Sequence, residues 1–348
     1  MKAQYQKYQL IFKRPAGTSR GVLHRKETFF IRLLKDKKNG YGEAALFRGL
    51  SADDVPDYED KLQWAMANIH LPKTELFAKL KDYSSIIFGL EQAFASLEDQ
   101  KPHLLYPTDF TKGKIAIPIN GLVWMGEKSF MLQQIKEKIK QGYKVIKLKI
   151  GAIDFQDELD LLKFIRREFR PAEIEIRVDA NGAFQPNDAL EKLKRLSDYQ
   201  IHSIEQPIRP RQFESMAQLC RKTPIPIALD EELIGYAFDF DKKSFLEKIR
   251  PQYIILKPAL HGGFTGTNSW IDAAEKLGIN WWITSALESN IGLNAIAQFT
   301  AQKNVKVPQG LGTGSLFANN FKSPLFIEEG ALHFHPEKEM EFPVFIDE

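Results

Sequence analysis

The sequence predicts an α/β protein, a modified (β/α)8 barrel with an N-terminal α+β domain capping it, and three observations point there. Five short runs rich in β-branched residues each end on a charge: Val145-Ile-Lys-Leu-Lys149, Ile174-Glu-Ile-Arg-Val-Asp179, Ile201-His-Ser-Ile-Glu205, Ile225-Pro-Ile-Ala-Leu-Asp230 and Tyr253-Ile-Ile-Leu-Lys257. The closing charges lie 30, 26, 25 and 27 positions apart, enough for one strand, one helix and two loops per interval. The 348 residues suit one barrel of roughly 250 residues plus a domain of about 100. In such a barrel the C-terminal strand ends converge on one mouth, where active sites lie.

Taken in order, residues 1–112 do not follow the β/α interval and form the α+β cap. Strand-like stretches at 5–14 and 28–35 are joined by a glycine-containing loop at 15–21. A turn at 37–40 leads to Tyr41-Gly-Glu-Ala44, and apolar residues three or four apart predict helices at 58–69 and 84–97. The barrel, residues 113–316, would open with a strand at 115–120, although Pro118 is unusual inside a central strand. A helix at 128–141 follows, with Gly142 as its C-cap. Later helices fall at 155–169, 186–199, 213–221, 241–249, 268–277 and 292–302, bounded by turn formers such as Gly182, Pro186, Pro210, Pro251 and Gly278. Strand seven is Asn280-Trp-Trp-Ile-Thr-Ser285, and an eighth ends near Gly310-Leu-Gly-Thr-Gly-Ser315. The tail, 317–348, has alternating apolar residues and no β/α unit, which suits a return to the N-terminal domain.

Composition excludes several classes. No apolar run approaches the ~20 residues of a membrane span, and the first residues lack a secretory apolar core, so the expected setting is the cytoplasm. A net charge of +3 gives no sign of nucleic-acid binding and is compatible with a small anionic substrate. The single cysteine, Cys220, sits in an apolar stretch as a structural thiol. Nothing in the sequence sets an oligomeric state.

The charged strand ends carry the chemistry. Asp179, Glu205 and Asp230 come from successive strands, so their carboxylates can meet above the barrel. Three oxygen donors without His or Cys suit Mg²⁺ or Mn²⁺. Lys147 and Lys149, two apart on a strand, point to the same side and are expected to depress each other's pKa, which would make a proton-abstracting amine. Lys257 lies across an eight-strand barrel from Lys149, so a substrate carbon between them meets nitrogen on both faces. With a substrate carboxylate on the metal, loss of the α-proton gives an enediolate stabilised by the cation, a lysine-and-metal scheme that is the standing description of one enzyme superfamily.

These motifs resemble the enolase superfamily, and within it the muconate-lactonising branch. The matching segments are Lys147-Leu-Lys149, Asp179-Ala-Asn181, Glu205-Gln-Pro207, Asp230-Glu231, Lys257-Pro258 and, in the cap, Tyr41-Gly-Glu-Ala44. The resemblance implies Lys149 and Lys257 as the acid/base pair, and Asp179, Glu205 and Asp230 as Mg²⁺ ligands. Asn181 and Glu231 would stand behind those ligands, and loops 15–21 and 47–52 would close over the substrate. Arg177-Val-Asp179, Thr284-Ser-Ala-Leu-Glu-Ser289 with Gly292, and Gly310-Leu-Gly-Thr-Gly314 are similar to the o-succinylbenzoate synthases, the dehydratase family of menaquinone biosynthesis.

Candidate substrate contacts are Lys147, Arg177, Ser285, Ser289, Gly312 and Thr313, the serines and the glycine-rich loop as hydrogen-bond donors to a carboxylate. Alternatives are an N-acylamino-acid racemase, a dipeptide epimerase or a cycloisomerase of the same branch. Epimerases of that branch carry an Asp-x-Asp after the last strand to hold an ammonium group, and Gly312-Thr-Gly314 has no carboxylate there. A Schiff-base aldolase using Lys257 is a further class, disfavoured by the three carboxylates. A dinucleotide site at the glycine-rich loop fails because no long helix opens there within a first βαβ unit. His261 is expected in a turn, and the adjacent Trp281 and Trp282 are expected to pack on opposite faces of their strand.

Overall fold

A computed structural model of the chain describes residues 1–18, 21–236 and 239–346. Strands β1 (Lys2–Thr18), β2 (Gly21–Lys35) and β3 (Lys38–Ala44) form an antiparallel sheet in that order. Alternation drives it: Phe29, Ile31 and Leu33 point to one face and are buried. That face packs on helices α1 (Tyr58–Ala67), α2 (Lys73–Lys79) and α3 (Ser84–Glu98). The hairpin turns at Asp36 and Lys37, both at positive φ, which matches the right-handed twist of the flanking strands. The turn therefore precedes the expected 37–40, and Gly40 and Gly42 lie inside β3. Their lack of a side chain is steric, because a Cβ on Gly42 would sit 2.0 Å from the Gly89 carbonyl oxygen of α3. Helix α2, at seven residues, is too short for periodicity to reveal it. The expected loop at 15–21 is replaced by extended chain as far as Thr18, after a register shift between Ile11 and Ala16. Ser19 and Arg20 of that loop lie outside the described residues.

The first barrel strand is also displaced. Strand β4 (Ile117–Pro118) leaves the barrel and pairs antiparallel with the tail hairpin, so Pro118 takes an edge position where a missing N–H is tolerated. The parallel sheet begins at β5 (Gly121–Val123). After it come α4 (Lys128–Lys140), β6 (Val145–Lys149), α5 (Phe155–Glu168), β7 (Glu175–Asp179), α6 (Ala189–Ser197), β8 (Ser203–Glu205) and α7 (Phe213–Lys222). The series continues through β9 (Ile227–Leu229), α8 (Lys242–Ile249), β10 (Tyr253–Leu256), α9 (Gly263–Glu275), β11 (Asn280–Ile283) and α10 (Asn290–Gln302). β5 to β11 lie side by side in sequence order. The eighth position is filled by single parallel bridges, Ile119 to Gln309 and Thr284 to Gly310, which close the ring without a full strand.

Helix α9 starts earlier than the sequence suggests, at Gly263, where Glu91 of α3 accepts the backbone N–H groups of Phe264 and Thr265 (3.0 Å for Thr265). A carboxylate at a helix N-terminus is favourable, and here it offsets the poor helix propensity of Gly263 and Gly266. The tail hairpin, β12 (Leu325–Glu328) and β13 (Ala331–Phe334), covers β4. Further along, Phe342 stacks on Tyr41 at 4.2 Å and Phe317 pairs with Phe12, so the tail touches the N-terminal sheet. No described helix is long and apolar enough to cross a membrane.

Candidate active site

Strand register sets the site. Lys149 on β6 pairs with Asp179 on β7, and Asp179 pairs with Glu205 on β8. Asp230 and Lys257 follow the last residues of β9 and β10. All five converge at the C-terminal mouth. Asp179, Glu205 and Asp230 are nearly or fully inaccessible, at 1, 3 and 0% exposure. Lys149, Asp179, Glu205 and Lys257 line one cavity of about 1020 Å³, which opens beneath Phe47 and Leu50 of the cap.

Within it, charges alternate. Lys149 Nζ donates to Asp179 Oδ2 at 3.0 Å and to Asn181 Oδ1 at 2.8 Å. Lys147 Nζ lies 3.0 Å from Asp179 Oδ2 and also pairs with Glu205, while Lys257 Nζ pairs with Asp230. Asn181 donates to Glu231 Oε1 at 3.0 Å, and both residues line the same cavity.

Burial alone would raise the pKa of Asp179, but Lys147 and Lys149 hold it well below the usual carboxylate range. Glu205 is pushed up, first by burial and then by the neighbouring Asp179. The expectation that Lys147 would be acidified by its neighbour is overturned. Burial favours its neutral form, yet Asp179 and Glu205 outweigh that and raise its pKa. The same balance, with Asp230 as partner, raises Lys257.

The three carboxylates fit a hard divalent cation. Glu205 Oε1 and Asp230 Oδ1 are buried without any hydrogen-bond partner, and leaving such oxygens unmatched is costly. The lysine ammoniums take up Asp179 Oδ2, Glu205 Oε2 and Asp230 Oδ2, and the Asn181 backbone N–H donates to Asp179 Oδ1 at 3.0 Å. Among the described residues no group of three or more His, Cys, Asp or Glu side chains is arranged as a formed metal cage. His261 takes no part: its Nδ1 accepts the Lys257 N–H at 3.0 Å, and burial lowers its pKa to about 3, so the ring is neutral.

Other sequence expectations change. Arg177 shares the inward side of β7 but belongs to the opposite end of the barrel. It pairs with Glu175 at 2.7 Å, donates to the Pro308 carbonyl at 2.9 Å and stacks on Trp282 at 4.5 Å. Ser289 is fully buried as the N-cap of α10 and donates to Glu43 at 2.6 Å, away from the cavity. Ser285, Gly312 and Thr313 do line the cavity. Their hydroxyl protons are committed, however: Ser285 donates to Glu288 at 2.5 Å and Thr313 donates to Ser285 at 2.9 Å. Trp281 and Trp282 do diverge, Trp282 turning to Ala228 and Ile255 and Trp281 to the helical layer.

Glu43 was marked only by its Gly-Glu-Ala motif. Its carboxylate accepts from Thr28 Oγ1, from the backbone N–H and Oγ of Ser289 and from the backbone N–H of Gly292, tying β3 to the start of α10. Glu43→Ala is expected to destabilise the protein by on the order of 3 kcal/mol, since several buried donors lose a charged acceptor at once. Urea unfolding would show a lowered midpoint with unchanged slope; a midpoint equal to wild type would contradict the clamp.

The profile of the family described as Enolase C-terminal domain-like matches residues 131–338, the span that holds every one of these strand ends. The chain belongs to the enolase superfamily. A curated o-succinylbenzoate synthase of Desulfotalea psychrophila is 46% identical over 95% of this chain and 98% of that protein. The crystal structure of MenC from the same organism superposes with a TM-score of 0.84 at 42% identity, covering 96% of this chain and 99% of that one. A dipeptide epimerase from Enterococcus faecalis, solved with Mg and L-Leu-L-Tyr, gives a TM-score of 0.83 at 19% identity over 97% of both chains, a likeness of fold alone. Superfamily membership accounts for the cap over a barrel whose successive strand ends carry three acids flanked by two lysines.

Proposed function

We propose that this chain is a Mg²⁺-dependent o-succinylbenzoate synthase. It eliminates water from 2-succinyl-6-hydroxy-2,4-cyclohexadiene-1-carboxylate to give 2-succinylbenzoate, a step of menaquinone synthesis. The observation that carries the reaction class is the placement of Lys149 and Lys257 at the ends of β6 and β10, four strands apart, in one cavity that the buried carboxylates of Asp179 and Glu205 also line, with Asp230 paired to Lys257. Relatedness at 46% identity to a synthase of this name supports the substrate.

Asp179, Glu205 and Asp230 would hold Mg²⁺, with Mn²⁺ as a substitute, and the cation supplies charge neutralisation at a substrate carboxylate. The Lys149 amine takes the proton from the carbon bearing that carboxylate. The Lys257 ammonium, on the opposite side, stabilises the enediolate charge. Lys149 then returns its proton to the departing hydroxide, so water leaves and the ring becomes aromatic. Asn181 fixes the Lys149 nitrogen at the rim while this happens. Phe47 and Leu50 of the cap exclude water above the reacting carbon.

Substrate selection tests the reading. Gly312-Thr-Gly314 offers no carboxylate for a substrate ammonium, and burying that ion unpaired costs several kcal/mol. The kcat/KM for dehydration should exceed that for any dipeptide or N-acylamino acid by at least about 10²-fold. A dipeptide turned over as efficiently as the cyclohexadiene would overturn the assignment.

A further inference from the structure

Four lysines border the active cavity, and three of them, Lys147, Lys149 and Lys257, are paired with its carboxylates. The fourth, Lys138, arrives from helix α4 outside the barrel. Its stem crosses the edge of β5 where residue 121 has no side chain: a Cβ on Gly121 would lie 3.1 Å from Lys138 Cδ and 3.0 Å from Tyr143 Cγ. A larger residue there would displace both. The Lys138 ammonium stands 4.9 Å from the centroid of the Tyr143 ring and donates to the neutral Gln141 Oε1 at 3.3 Å. No carboxylate of the described residues lies within ion-pair distance of it. Lys138, Tyr143, Gly312 and Ser315 also border the adjoining cavity beside the tail hairpin, so the ammonium stands where the two spaces meet.

The proposed substrate has two carboxylates, and a cation held by the acidic cluster would account for one. The distal carboxylate needs a donor of its own, because an anion that enters a half-apolar mouth loses hydration. The Ser285 and Thr313 hydroxyls are spent on Glu288 and on each other. We infer that Lys138 receives the distal, side-chain carboxylate of the substrate and thereby sets the preference for a dianion. The inference rests on the proposed function and names the residue that reads the succinyl tail. Burial pushes the Lys138 ammonium towards its neutral form, and an arriving carboxylate reverses that push.

The test uses Mg²⁺-loaded wild type, Lys138→Met and Lys138→Arg, with calorimetric binding of 2-succinylbenzoate and of 2-butyrylbenzoate, which carries a methyl in place of the distal carboxylate. Wild type should bind the succinyl compound about 10- to 100-fold more tightly than the butyryl one, the range expected of one charge-assisted pair. Lys138→Met should abolish that ratio while leaving butyrylbenzoate affinity as in wild type, and Lys138→Arg should retain most of it. In turnover of the cyclohexadiene, Lys138→Met should raise KM with little change in kcat, the signature of lost uniform binding. Equal weakening of both ligands in Lys138→Met would mean a structural role, and an unchanged ratio would mean no role; either overturns the inference while dehydration by wild type leaves the proposed function standing. Wild type inert towards the cyclohexadiene would overturn the proposed function itself, and the inference with it.

Discussion

Changing Asp179, Glu205 or Asp230 to its amide, as Asp179→Asn, Glu205→Gln or Asp230→Asn, should each abolish divalent-metal binding and reduce turnover by at least about 10³-fold. The size follows from the several kcal/mol that a bound cation contributes by neutralising charge in the transition state, at 1.4 kcal/mol per tenfold. An amide keeps the shape but surrenders the charge, and it presents an N–H₂ where a hard cation needs oxygen. Glu205→Gln and Asp230→Asn are the cleaner two, since Glu205 Oε1 and Asp230 Oδ1 are buried without a hydrogen-bond partner whereas both oxygens of Asp179 are engaged. Circular dichroism should remain that of wild type. EDTA should silence the wild type, and Mg²⁺ or Mn²⁺ should restore it. A metal-free preparation with full activity would contradict the account.

Lys149→Ala should stop both dehydration and exchange of the substrate α-proton with solvent deuterium, a loss of about 10²–10⁴ for one positioned base. The geometry behind this is specific. The Lys149 nitrogen is held by two oxygens, Asp179 Oδ2 at 3.0 Å and Asn181 Oδ1 at 2.8 Å, and it borders the cavity directly. Lys147 is two residues earlier on the strand and is committed deeper, between Asp179 and Glu205. Lys257→Ala should also lose turnover, but through the enediolate it no longer stabilises and not through the base. Proton exchange at the wild-type rate in Lys149→Ala would require the two lysines to swap roles.

The sequence reveals the barrel where the chemistry sits and obscures it where tertiary contacts decide. Five strands ending in charge could be read off because each is a short apolar run closed by a charged side chain, and β6 to β10 end at or beside those charges. Pro118 was the warning that strand one was misplaced, and the structure moves the barrel strand to Gly121 and gives Pro118 an edge. Helix α9 began early because Glu91, far away in sequence, caps it, and no local pattern contains that fact. Arg177 has the right parity for the mouth but lies one pleat too deep, since parity fixes the face of a strand and not the height along it. Of the two serines, Ser285 lines the cavity with its proton given to Glu288, while Ser289 donates to Glu43, and no local sequence pattern names either hydrogen bond. Lys138 was invisible because its stem, arriving from an outer helix, passes over Gly121 of β5, and no helical periodicity contains that close approach.

The central claim is that three carboxylates gather one divalent cation while two lysines flank the carbon beside it. A crystal of this protein soaked with Mn²⁺ and 2-succinylbenzoate tests it most directly, through the anomalous signal of the metal. The expected result is a single strong peak among Asp179, Glu205 and Asp230, with the ring of the ligand between Lys149 and Lys257. A peak elsewhere, no peak at all, or a ring with both lysines on the same face would contradict it.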